Sequence, residues 1–193
     1  GNDANIAALG EMWQGAAKGY SDIVMATIGT GIGGGIIVNG QIISGSKGGA
    51  GEIGHICVNK DETEKCSCGK TGCLEQYASA TGIVRMAKEK LHRYDITAKD
   101  IFDEAKAGDA SANELINQLG EFLGTALASV ANVTNPQIFV IGGGVSKAGK
   151  ILIDATEHHF RKQAFHICSD ARFVLAKLGN DAGIYGSVQL ILE

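Results

Sequence analysis

The strongest constraint on this chain lies between Gly51 and Glu75, where GEIGHICVNKDETEKCSCGKTGCLE holds four of the five cysteines. Cys66, Cys68 and Cys73 fall in a C-x-C-G-x-x-G-C pattern, and Gly69 and Gly72 permit tight turns between the sulfurs. Zinc gives three thiols so close in a polar loop a reason to be there. It takes four tetrahedral nitrogen and sulfur ligands, and a closed set marks a structural site. His55 is the expected fourth ligand and Cys57 its rival, since alternating residues of a strand would put both on one side. A disulfide among these cysteines is the weaker alternative, because odd cysteine usage without a secretion signal points to a reducing compartment. Zinc on His55, Cys66, Cys68 and Cys73 would also bring the carboxylates of Glu52 and Glu75 close in space. Two carboxylates and an imidazole held rigidly suit the hydroxyls of a sugar. The metal would then staple a binding wall and stay out of the reaction.

Composition narrows the class. With 193 residues the chain can bury one well-formed core, and 45% apolar residues is ordinary for a globular protein. The net charge of −4, without a basic run, argues against a nucleic-acid surface as the main role. No apolar run approaches the length of a membrane span and no signal peptide is visible, so the expected location is the cytoplasm. Glycine is the outlier, at 28 residues against one proline, about twice the usual share. That many glycines without low complexity points to loops that approach ligands.

In chain order, Ile6, Leu9, Trp13, Ala16 and Ala17 recur at helical spacing, which predicts a helix from Asp3 to about Tyr20 with Asn2 or Asp3 as its cap. Residues 23–28 read as a strand, Gly29-Thr30-Gly31-Ile32-Gly33-Gly34-Gly35 as a loop, and 36–38 and 41–43 as strands joined by an Asn39-Gly40 type I′ turn. A glycine loop between two strands is neither a Walker loop nor a dinucleotide fingerprint. Its bare N–H groups can wrap phosphate oxygens, as in the second phosphate loop of the actin/hexokinase superfamily. Helices follow over 74–92, over 96–107 with a capping box at Thr97 and Asp100, and over 110–133. Gly120 and Gly124 in the last of these suit either close helix packing or a ligand. Then come a strand at 137–141, Gly142-Gly143-Gly144, a helix capped by Ser146, a strand at 172–176 and a helix from 181. A strand, a glycine turn and a helix N-terminus form a ready nucleotide site. The run N-K-D-E-T-E-K at 59–65 reads as a solvated loop.

The pair G-E-I-G-H and C-S-C-G-K-T-G-C-L-E resembles the ROK family of sugar kinases and sugar-responsive repressors, and is similar to its glucokinase branch; the resemblance runs along essentially the whole chain. It implies an α/β fold, one lobe of an actin/hexokinase-like (ribonuclease H-like) ATPase with a zinc loop at 52–75. Residues 1–193 would be the C-terminal domain, the N-terminal lobe with the first phosphate loop being absent from this chain. The implied reaction is ATP-dependent phosphorylation of a glucose-like hexose at O6, with Mg²⁺ on the phosphates. Asn2-Asp3-Ala4-Asn5 matches the family's sugar-contacting motif, which makes Asp3 the general base. Asn2, Glu52, His55 and Glu75 would hold the sugar. Gly29, Thr30, Gly31 and Gly33 would cradle phosphates, and Gly142, Gly143 and Gly144 would lie beside the adenosine. A homodimer or homotetramer is expected. The rivals are the sugar-sensing lobe of a ROK repressor, the one case in which nucleic acid would be a partner, a kinase for N-acetylmannosamine, N-acetylglucosamine or fructose, and a non-catalytic zinc-ribbon module.

Overall fold

The computed structural model describes residues 3–192; the Asn2 assignment lies outside them. Five strands form one mixed sheet in the order β3-β2-β1-β4-β5. Strands β1 (Ile23–Ile28), β2 (Ile32–Val38) and β3 (Gln41–Ile42) are antiparallel neighbours, whereas β4 (Ile138–Gly142) and β5 (Arg172–Leu175) run parallel to β1. Helices cover both faces, which is why β1 and β4 read as nearly unbroken apolar runs. Side chains still alternate between the faces. Ile23, Met25, Ile138 and Val140 pack with Ala8 and Leu9 of α1 (Asp3–Gln14). Val24, Ala26, Ile28, Phe139 and Ile141 face the larger helical layer. That layer comprises α2 (Glu75–Ala78), α3 (Ala80–Leu91), α4 (Ala98–Lys106), α5 (Ala110–Thr134) and α6 (Lys150–Gln163). Helix α7 (Ala182–Leu192) lies against α1.

Several expected boundaries move, each for a local reason. The first helix stops at Gln14 instead of Tyr20. The Glu11 carboxylate takes the N–H of Ala16, and the Glu11 carbonyl takes those of Gly15 and Ala17. The glycine loop shrinks to residues 29–31, because Gly33, Gly34 and Gly35 are strand residues paired with Thr27, Ala26 and Met25. They are glycines because of packing. A Cβ on Gly35 would come within 2.6 Å of the Ala4 carbonyl, and one on Gly34 within 2.9 Å of Ile53. The Asn39-Gly40 turn keeps positive φ at both residues, 52° and 78°, as a type I′ turn demands.

The helix expected over 74–92 breaks at Ser79, which is extended and caps α3 by accepting the Gly82 N–H. Ser146 does not cap α6. It sits in a 3₁₀ segment, Gly144–Ala148, and its hydroxyl donates to the Gly143 carbonyl; α6 starts after Gly149, at φ 79°. The capping box at Thr97 and Asp100 is present. Gly120 and Gly124 serve helix packing. A Cβ there would lie 2.7 Å from the Ala155 backbone and 2.6 Å from the Thr156 carbonyl, both on α6.

Candidate functional site

The cysteine loop has almost no regular structure. His55 ends a 3₁₀ turn, Ile53–His55, so the expected strand alternation of His55 and Cys57 does not hold. Isolated bridges join Cys57 to Cys73 and Lys65 to Thr71, and Gly69 and Gly72 take φ of 84° and 76°. The chain thereby folds back so that one ligand atom from each of His55, Cys66, Cys68 and Cys73 lies within 4.8 Å of the others. The thiols are free: Cys68 Sγ is 3.6 Å from Cys73 Sγ, far beyond a disulfide bond. Cys66 Sγ is 3.6 Å from His55 Nδ1. A tetrahedral zinc with ordinary bond lengths puts neighbouring sulfurs about 3.8 Å apart and sulfur and nitrogen about 3.6 Å apart. The donor set therefore fits zinc, and exposed Cys57 is not part of it.

Burial pushes the Cys66 thiol up and the Cys73 thiol up to about 12, while a backbone hydrogen bond with Lys70 draws Cys68 down. Two of the three sulfurs thus resist ionisation alone, a preference that a bound dication reverses.

Glu75 joins this loop to the 29–31 turn. Its Oε1 accepts from Cys66 Sγ at 3.0 Å and Ser67 Oγ at 2.8 Å, and His55 Nδ1 is 3.9 Å away. Burial raises the Glu75 carboxyl, but the hydrogen bonds from Cys66 and Ser67 and the nearby imidazole hold it below its ordinary value. Its other oxygen faces Gly31, where a Cβ would come within 2.7 Å. Glu52 precedes the 3₁₀ turn of His55 but lines a separate hollow with Ile36, Ile53 and Val133.

The remaining candidates border two hollows that share lining residues. A cleft of about 770 Å³ is lined by Asp3, Thr27, Gly143, Gly144, Ser146, Lys147 and Lys177. A second, of about 490 Å³, lies between Gly29, Thr30, Phe102, Gly144 and Lys147. Gly144 and Lys147 border both, so the first glycine turn and Gly144 face one hollow. Asp3 stands in the first turn of α1, at the cleft. Gly33 and Gly142 are strand residues, and a Cβ on Gly142 would meet Met25 and Ala176.

Two features escaped the sequence. The 59–65 run is anchored, not freely solvated. The half-buried Glu62 accepts from Tyr77 Oη at 2.5 Å and Arg85 at 2.8 Å, and its other oxygen takes the N–H groups of Thr63 and Glu64. The Tyr77 hydrogen bond leads the causes that bring the Glu62 carboxyl down to about 2. Tyr77 also stacks on Phe122 at 4.3 Å, tying the loop to α5. No local pattern announces partners 15 and 23 residues away. Lys147 is the second, an unremarkable exposed lysine until the fold sets it between the two hollows.

Known proteins place this architecture. A glucokinase of Halalkalibacterium halodurans is 49% identical over 206 residues, covering all of this chain and 62% of its own length. The Escherichia coli DNA-binding transcriptional dual regulator NagC is 37% identical over 172 residues, covering 85% of this chain and 42% of the regulator. Among solved structures, a ROK family glucokinase from Streptomyces griseus in complex with glucose and AMPPNP superposes with a TM-score of 0.89 at 37% identity, over 98% of this chain and 66% of that one. This chain thus spans about two thirds of the length of these glucokinases. Among its described residues no helix is long and apolar enough to cross a membrane. The ROK family profile matches residues 1–193, and the chain belongs to the ROK family.

Proposed function

We propose that this chain is the C-terminal lobe of an ATP-dependent hexose kinase that phosphorylates a glucose-like sugar at O6. The observation that carries the reading is the position of Asp3, a carboxylate in the first turn of α1 bordering a cleft shared with Gly143, Gly144 and Lys147. A carboxylate there can accept the proton of an attacking hydroxyl, while backbone and lysine groups across the cleft meet the nucleotide. The likeness to a glucokinase that binds glucose and AMPPNP supports both ligands. Exposed Ile184 and Ile191 on α7 agree with a further lobe packing against that helix.

In this reading Asn2, His55 and Glu75 hold the sugar hydroxyls, and Glu52, which borders a separate hollow, joins them on the strength of the G-E-I-G-H motif alone. The 29–31 turn meets phosphate oxygens, with Gly33 setting the strand behind it. Gly143 and Gly144 lie by the adenosine, with Gly142 ending the supporting strand. Phosphoryl transfer needs little covalent help from the protein, so positioning and charge compensation are the main contributions of these residues. Mg²⁺ would neutralise the phosphates. His55, Cys66, Cys68 and Cys73 would hold a structural zinc, whose chemistry is to keep the thiols ionised and the loop closed. Glu75, which accepts a hydrogen bond from Ser67 of the same loop, is then oriented by the closed loop.

The second reading, the sugar-sensing lobe of a ROK regulator, draws support from the NagC likeness. A sensor needs no base, so Asp3 discriminates. The test is ATP-dependent phosphorylation of a hexose panel by the full-length protein, wild type beside Asp3→Asn. Turnover by the wild type, reduced at least about 10³-fold in Asp3→Asn with sugar affinity kept, is expected. Sugar binding without turnover in the wild type would favour the sensor.

A further inference from the structure

We propose that Thr81 is a positioning residue for phosphoryl transfer: it holds the 29–31 turn so that backbone N–H groups face the nucleotide phosphates. The inference deepens the kinase reading and rests on it.

Each carbonyl of the turn has a donor. The Gly29 carbonyl accepts the Ala80 N–H at 2.8 Å, the Thr30 carbonyl accepts the Thr81 hydroxyl, and the Gly31 carbonyl accepts the Gly29 N–H at 2.9 Å. Across a trans peptide the C=O and the following N–H point in opposite directions. Anchoring the Gly29 carbonyl on Ala80 therefore turns the Thr30 N–H away from α3. Anchoring the Thr30 carbonyl on Thr81 turns the Gly31 N–H away in the same manner. Without the Thr81 bond, the Thr30–Gly31 peptide has the freedom a glycine allows and can rotate its N–H out of register.

The geometry around the turn supports a role for phosphates. Gly29 and Thr30 border a hollow that Gly144 and the cation of Lys147 also line. Thr30 also borders a second hollow, of about 480 Å³, together with Thr81, Gly31, Glu75 and Ser67. Glu75 accepts the Ile32 N–H, so the N–H that follows Gly31 is already directed at a carboxylate. The turn is thus held from α3 by two donors and from α2 by one acceptor. Thr81 is exposed and in the first turn of α3, where Ser79, not Thr81, is the cap. Its hydroxyl is accordingly not needed to start the helix.

The test uses the full-length protein and compares Thr81→Val, which keeps the branched shape and loses the donor, with Thr81→Ser, which keeps the donor. Steady-state kinetics and direct titration of ATP are measured with zinc content and the thermal midpoint. Thr81→Val is expected to raise KM and Kd for ATP about tenfold and lower kcat, with hexose KM within about twofold and zinc content unchanged. Thr81→Ser is expected to restore ATP affinity to within about twofold. Unchanged ATP affinity in Thr81→Val, with turnover intact in the wild type, overturns this role and leaves the kinase reading standing. Equal losses for ATP and hexose that Thr81→Ser does not rescue overturn it as well, since they signal a general structural effect. A wild type that neither turns over a hexose nor binds ATP removes both.

Discussion

The sheet with its flanking helices and the loop from 51 to 74 are stabilised in different ways. In the sheet half, strands buried on both faces meet α1 on one side and α5 and α6 on the other, and glycines let backbones touch where helices cross. Dispersion and burial hold it, and small changes of volume are felt at once. The 51–74 loop has a single 3₁₀ turn and two isolated bridges. It is held at a few points: the four metal-competent side chains, Glu75 beneath them, and Glu62 between Tyr77 and Arg85. A packed half resists chemistry and yields to overpacking; a pinned half does the reverse.

Three perturbations sharpen that contrast. The largest is Gly120→Leu. It drives a side chain into the Ala155 backbone and is expected to cost at least about 3 kcal/mol of global stability in denaturant unfolding. The folded fraction should still bind zinc. A shift below about 1 kcal/mol would show that α5 and α6 part easily and would undo the contrast.

Cys73→Ser comes next. It removes one of four ligands and is expected to cut zinc content more than tenfold and weaken hexose binding. Amide exchange should speed up in the 51–74 loop while the amides of β1 and β4 stay protected. Equal loosening of both regions would mean that the loop and the sheet unfold as one unit.

The smallest effect is pH dependence at Glu62. Its carboxyl titrates near 2 in the folded protein against an ordinary 4.5, so the folded state favours the ionised form. The stability linked to it is complete above about 4.5 and is lost as pH falls toward 2. Glu62→Gln should be less stable than wild type near neutral pH and show a shallower acid-side decline between pH 4.5 and 2. Parallel pH profiles would place the charge network outside the loop's stability.

Much of this was legible along the chain. The apolar runs gave β1, β4 and β5, Thr97 and Asp100 the start of α4, and Asn39-Gly40 its turn, because each depends on residues only a few positions apart. The cysteine spacing gave the metal-competent set for the same reason, since three of its four members lie within eight residues. The misplaced boundaries come from competing local hydrogen bonds at Glu11, Ser79 and Ser146, and at Gly33 to Gly35 from a close approach of distant atoms. Gly33 to Gly35 looked like a loop because glycine is permissive, whereas α1 and Ile53 require its lack of a side chain inside a strand. Ser146 had the chemistry of a helix cap, but the Gly143 carbonyl took its hydroxyl first.

The sequence by itself determined most element types, the family and the metal-competent side chains gathered around Cys66 to Cys73, because local propensity and short spacing suffice for these. Only the tertiary structure decided that Glu62 answers to Tyr77 and Arg85, that Thr81 takes hold of Thr30, and that Lys147 stands between two hollows. Those pairings bridge tens of residues. Which of a chain's many polar side chains meet across such a gap is set by how the helices pack on the sheet.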